Sequence, residues 1–145
     1  KIFKKKNSYS FIDNMTDKSL VLKGFNEHFM EFIDDIYQVF PHDSEILATK
    51  NALGMLRKAN PRMIIDVWHR HITIKYENEI NNSNIDFFVN KDYSNDVKSM
   101  NNTDKIISKI NMLKQPISEM SETDQAKTLK YIQNLSKLTT LYFID

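Results

Sequence analysis

Between Asp17 and Phe40 the apolar residues Phe25, Phe29, Phe32, Ile33, Ile36 and Phe40 recur at spacings of three and four. A half-buried strand would alternate, so this spacing commits the segment to a helix with one wide apolar face. Such a face has to be buried against other helices, and that sets the class of the chain. Pro41 ends the run, because its ring removes a backbone donor and biases Phe40 away from helical geometry. The spacing predicts a helix over about 17–39.

Four further segments repeat the pattern. Asp43 or Ser44 caps a second helix of about 15 residues, with Ile46, Leu47, Leu53 and Leu56 inward. Gly54 within it weakens the helix unless a neighbouring backbone packs closely there. Asn60-Pro61 starts a third helix, with asparagine as cap and proline at the first helical position. It carries Ile64, Val67, Trp68, His71 and Ile72 or Lys75 on one side and runs to Asn81-Asn82. Residues 83–102 read as a polar connector holding an apolar island at 85–89. Thr103 caps a fourth helix with Ile106, Ile107, Ile110 and Leu113 inward, ended by Pro116. Ser121-Glu122-Thr123-Asp124 resembles a capping box and opens the last helix, striped by Leu129, Ile132, Leu135, Leu138 and Tyr142. The β-branched and aromatic residues at 139–144 weaken its final turns. Residues 1–16 form a basic arm, and 17–145 a single helical domain. The expected fold is all-α: a bundle of about five amphipathic helices with an extended basic N-terminal arm.

Composition excludes more than it identifies. In 145 residues there is room for one sizeable core. No cysteine means no disulfide, thiolate nucleophile or cysteine metal site. With Gly24 and Gly54 as the only glycines, the P-loop, the dinucleotide fingerprint and the nucleophile elbow are all excluded. No apolar run is long enough to span a membrane. The Lys1–Lys6 cluster has no apolar stretch behind it, so it is not a secretory signal. The missing initiator Met implies a start within a longer or processed product. The chain has 17 Lys, 17 Ile and 15 Asn against three Arg, the usage expected of an A/T-rich gene.

The net charge of +1 gives no bulk attraction to nucleic acid, but the charge is unevenly distributed. Phe25 to Glu45 carries Glu27, Glu31, Asp34, Asp35, Asp43 and Glu45 with no Lys or Arg. Glu27, Glu31 and Asp34 share one helix face at i, i+4 and i+7. Arg57 to Lys75 reverses the sign, with Arg57, Lys58, Arg62, Arg70 and Lys75 against Asp66 alone. All three arginines lie there, and arginine makes planar, bidentate contacts with carboxylate or phosphate. Three readings follow: an intramolecular match of the acidic first helix with the basic third, a protein–protein contact, or phosphate binding. The candidate partner-binding residues are Glu27, Glu31, Asp34, Asp35, Arg57, Arg62, Trp68 and Arg70. The candidate nucleic-acid contacts are Lys4, Lys5, Lys6, Arg57, Lys58, Arg62 and Arg70. Helices two and three, joined at 58–61, also admit a helix-turn-helix reading with Arg62, His69 and Arg70 projecting.

No metal site is expected. His28 and Glu31 stand in reverse of the Glu-x-x-His order with no second copy. His69 and His71 diverge on a helix, and His71 reads as a packed core or rim histidine. No Ser, His and Asp stand in a nucleophile context, and the carboxylates lie on solvated faces. Trp68, Tyr76, Phe87, Phe88 and Tyr93 divide between core and a docking patch. The chain is expected to be non-enzymatic and to need no cofactor.

Several segments carry a resemblance. The run Phe25–Pro41, the run Ala52–Arg62 continuing to Trp68, then Asp86-Phe87-Phe88 and Lys91-Asp92-Tyr93 resemble a family of small helical proteins. That family is encoded by nucleocytoplasmic large DNA viruses, the giant viruses of algae and protists. The resemblance covers about residues 22–96 and rests on amphipathic patterns, with no catalytic residues to carry over. It implies a virion component, such as a minor capsid or internal architectural protein, docked to coat or other viral proteins. The implied location is the virion, or the host cytoplasm and virus factory. The alternative is a nucleic-acid-associated factor for DNA packaging or transcription, using the basic junction of helices two and three.

Overall fold

The computed structural model describes residues 17–90 and 101–144. The expected arm, with Lys4, Lys5 and Lys6, and Lys91-Asp92-Tyr93 lie outside the described residues.

Helix α1 spans Lys18–Val39, and the Asp17 carboxylate caps it by accepting from Leu20 N–H at 3.4 Å. Its apolar stripe buries Val21, Phe25, Phe29, Phe32, Ile33 and Ile36. Helix α2 spans Ser44–Ala59, and Asp43 is its cap, accepting from Glu45 and Ile46 N–H at 2.8 and 3.2 Å. Ile46 and Leu53 point inward as expected; Leu47 does not and is 38% exposed.

The third helix departs most from expectation. Asn60 Oδ1 accepts from Arg62 N–H at 3.2 Å, so Asn60 shapes a turn. Helix α3, Met63–Trp68, begins two residues beyond Pro61. It then widens into a π-helical turn, His69–Thr73, where Ile74 N–H reaches back five residues to His69 O at 3.0 Å. A short α4, Glu77–Asn81, completes the stretch that periodicity alone reads as one helix.

The connector is not wholly irregular. Its apolar island forms helix α5, Asp86–Asn90, and buries Phe88 completely. Helix α6, Asn102–Asn111, is capped by Asn101, which accepts from Asp104 N–H at 2.8 Å, rather than by Thr103. Pro116 ends no helix; it sits in the first turn of α7, Lys114–Ser118, where its missing donor is harmless. Helix α8, Glu122–Tyr142, opens on Ser121, whose Oγ accepts from Asp124 N–H at 3.1 Å. Its last turns hold despite their composition. Thr139 and Thr140 donate to Ser136 O at 2.9 and 3.1 Å, and Lys18 Nζ donates to the Tyr142 and Ile144 carbonyls. A cation at those carbonyls also complements the helix dipole.

The contact of Lys18 with the end of α8 and of Asp35 with Tyr131 makes α1 and α8 an antiparallel pair. Between them lies α3, packed on α1, α2, α6 and α8, with Ile64, Ile65, Val67 and Trp68 all buried. Trp68 is 0% exposed and meets Phe25, Phe29 and Phe32 edge-on at 5.9–6.4 Å. This corrects one expectation: Trp68 is the centre of the core and has no exposed surface to offer a partner. Helix α3 is also only six residues long, so Arg62, His69 and Arg70, expected to project from it in the helix-turn-helix reading, lie outside its bounds. The fold is an all-α bundle, with no strand among the described residues.

Candidate functional site

The buried stripe of α1 contains one polar residue. Asn26 stands with Leu22, Phe29 and Ile33 at spacings of four, three and four, and is only 7% exposed. Its Nδ2 donates to Pro61 O at 3.0 Å, tying the α2–α3 turn to α1. Its Oδ1 is buried without a partner among the described residues, a penalty a sequence seldom retains without use.

Beside this tie opens a groove of about 390 Å³. Lys23 and Glu27 of α1 line it, facing Arg57 and Lys58 from the last turn of α2, with Leu22, Asn26 and Pro61 between. Arg62 is exposed on the same turn, one residue after Pro61. Among the described residues none of Lys23, Glu27, Arg57, Lys58 or Arg62 forms an ion pair. The groove therefore offers one guanidinium group and two ammonium groups against one carboxylate, with a second guanidinium, that of Arg62, exposed on the adjoining turn.

The other candidate residues are engaged inside the molecule. Asp34 accepts from Lys50 of α2 at 2.8 Å, and Asp35 accepts from the Tyr131 hydroxyl of α8 at 2.6 Å. Burial, reinforced by the Asp35 hydrogen bond, pushes the Tyr131 hydroxyl well above its ordinary pKa. Glu31 faces His28 at 3.2 Å and remains exposed. Arg70 forks onto Asp66 one turn earlier at 2.6 and 3.2 Å, and that hydrogen bonding raises its pKa. The acids of α1 thus find α2 and α8, and the expected match with the basic third helix does not form. The structure brings Glu27, Arg57 and Lys58 together, with Arg62 one residue beyond the lining Pro61, and separates them in role from Asp34, Asp35 and Arg70. Lys23 and Asn26 complete the groove and were not expected there. The signal for Asn26 was legible: an amide on an apolar stripe needs a partner, and the Asn60-Pro61 turn supplies it.

A groove of this kind can hold a carboxylate or phosphate through bidentate arginine contacts. Among the described residues no group of three His, Asp or Glu could hold a metal ion. No described helix is long and apolar enough to cross a membrane. Compared with known proteins, the chain matches no family model, no curated protein and no solved structure.

Proposed function

We propose that this chain is a non-enzymatic interaction protein whose basic α1–α2–α3 junction docks an acidic segment of a partner protein. One observation carries the reading. Arg57 and Lys58 line an open groove, and the exposed Arg62 follows its lining residue Pro61, all three without ion-pair partners among the described residues, while Arg70 is consumed by Asp66. Unneutralised guanidinium groups at a preformed concavity favour a planar anion. Glu27 in the same groove chooses between anions. It repels a continuous phosphate backbone, whereas a protein segment of mixed charge can meet it with a lysine. The nucleic-acid reading uses the same cations together with Lys4, Lys5 and Lys6, and is the second outcome of the test. The A/T-rich composition and the resemblance to giant-virus proteins make a coat or other virion protein the partner of this proposal.

Fluorescence anisotropy on the full chain tests it, with a labelled peptide alternating Glu and Leu around one central Lys and a labelled DNA duplex as probes. The peptide is expected to bind, and Arg57→Glu with Arg62→Glu to weaken it about tenfold or more. Both residues lie outside the core, so the variant should keep the wild-type melting curve. Duplex binding tighter than peptide binding at roughly 0.15 M salt would overturn the reading in favour of nucleic acid. Peptide affinity untouched by the double reversal would remove the groove from the function altogether.

A further inference from the structure

A second cleft, of about 470 Å³, opens between the π-helical turn, α4 and α8. It holds the side chains of His69 and Thr73 from the turn, Glu77 from α4, and Ser136, Lys137 and Thr140 from α8. The π-helical turn is itself informative. Such turns are rare and occur frequently at functional sites. Here the turn contributes His69 and Thr73 to the cleft.

The protonation of His69 follows from hydrogen-bond accounting. Thr139 Oγ1 has one proton, which it donates to Ser136 O at 2.9 Å. With that proton on Ser136 O, Thr139 Oγ1 accepts from its other neighbours, Thr73 Oγ1 at 2.8 Å and His69 Nδ1 at 3.0 Å. In that arrangement His69 carries its proton on Nδ1 and presents the Nε2 lone pair, which has no partner among the described residues. Stacking on Phe143, at 4.5 Å and 21°, holds the ring in that orientation. Burial keeps the imidazole neutral by holding its pKa below the ordinary value of 6.5. This is a preorganised acceptor, supported from behind as a binding histidine must be.

Two charges share the cleft. Glu77 and Lys137 project from different helices, and neither forms an ion pair among the described residues. A lone anion would be repelled by Glu77, and a lone amine would leave Lys137 unmatched. Ile74, 60% exposed, and buried Ile80 supply apolar surface beside them. We propose that this cleft binds a small zwitterion of the α-amino acid class. Its ammonium group donates to His69 Nε2 and the Glu77 carboxylate, its carboxylate meets Lys137, and its side chain lies on Ile74. This site is separate from the basic junction and does not depend on it.

Titration calorimetry of the full chain against the common free α-amino acids tests the proposal, with acetate and methylamine as single-charge probes. At least one amino acid is expected to bind below about millimolar, with acetate and methylamine weaker by about tenfold or more. Glu77→Gln and Lys137→Met should each weaken it by a similar factor; both positions are exposed, so melting curves should match wild type. The Arg57→Glu, Arg62→Glu variant should bind the amino acid unchanged, which separates this site from the docking groove. Binding should also move the nitrogen-15 shift of His69 Nε2 and leave Nδ1 protonated. No binding by any amino acid would overturn the proposal. So would equal binding of acetate or methylamine, or affinity retained in both charge variants.

Discussion

At the scale of single residues, Trp68 decides most. Its indole N–H is fully buried and donates to Ser136 Oγ at 3.1 Å, linking the central helix to α8 through the core. Ser136→Ala removes the only acceptor that hydrogen bond has and leaves a buried donor unsatisfied. A loss of about 1–3 kcal/mol is expected. Trp68→Phe keeps an aromatic ring but leaves a void and strands the serine hydroxyl, so it should cost at least as much. Urea denaturation of the two single variants and the double variant checks this. The double should lose less than the sum, because each single change already breaks the same bond. Strict additivity would mean that the bond contributes nothing. The sequence could place Trp68 on an apolar face, but the same residue type also anchors docking surfaces. Only the ring of phenylalanines supplied by α1 settles which.

At the scale of elements, α1 and α8 were legible because each repeats apolar residues at helical spacing over its length and opens on a side-chain cap. The third helix was not. Its π-helical turn is tied to α8 by the hydrogen bonds of Thr73 and His69 to Thr139, some 66 and 70 residues away. A window of local periodicity contains no record of such contacts. The island at 85–89 showed its apolar character but not its helix, for the same reason: Phe88 packs on Trp68, 6.3 Å away and 20 residues earlier in the chain. The glycines are instructive in the opposite direction. Gly54 weakens its helix unless a backbone packs closely there, and none does: a Cβ would meet only the Met30 methyl, at 3.7 Å. A Cβ at Gly24 would meet nothing within 4 Å, and neither glycine has a positive φ. Both sit inside long helices, so Gly24→Ala and Gly54→Ala should each stabilise the fold by about 0.5–1 kcal/mol. Thermal unfolding of the two variants decides it. A fall in Tm for either would mean that the position needs the space for a contact this packing does not contain.

At the scale of the whole molecule, the two clefts share one structural cause. Helix α3 is short and buried, so the chain must enter and leave it abruptly. The entry makes the Asn26–Pro61 tie and the basic groove, and the exit makes the π-helical turn and the His69 cleft. Of the two, the sequence revealed the arginines of the entry through their clustering. It did not reveal the cleft at the exit, whose polar lining comes from residues that are unremarkable one by one. The exit also gives folding a pH dependence. His69 and His71 lie on opposite sides of that turn, and burial lowers the pKa of both. For His71 the charges of Arg70 and Lys75 lower it further, against the weaker opposing pull of Asp66 and Asp104. Its Nε2 is buried without a partner among the described residues. In the unfolded chain both rings take a proton near their ordinary value of 6.5, while in the folded chain they resist it. The unfolded state therefore binds more protons in this window, and stability must rise with pH. The contribution is complete above about pH 6.5 and is lost as pH falls through the depressed native values. Asp17, held below 3.8 mainly by the Ser19 hydroxyl, loses its own contribution only in far more acidic solution, so the two effects do not overlap. Urea midpoints measured from about pH 8 to pH 5 should fall through this window. His69→Gln with His71→Gln should flatten the curve. A slope that survives in the double variant would place the pH sensitivity elsewhere in the molecule.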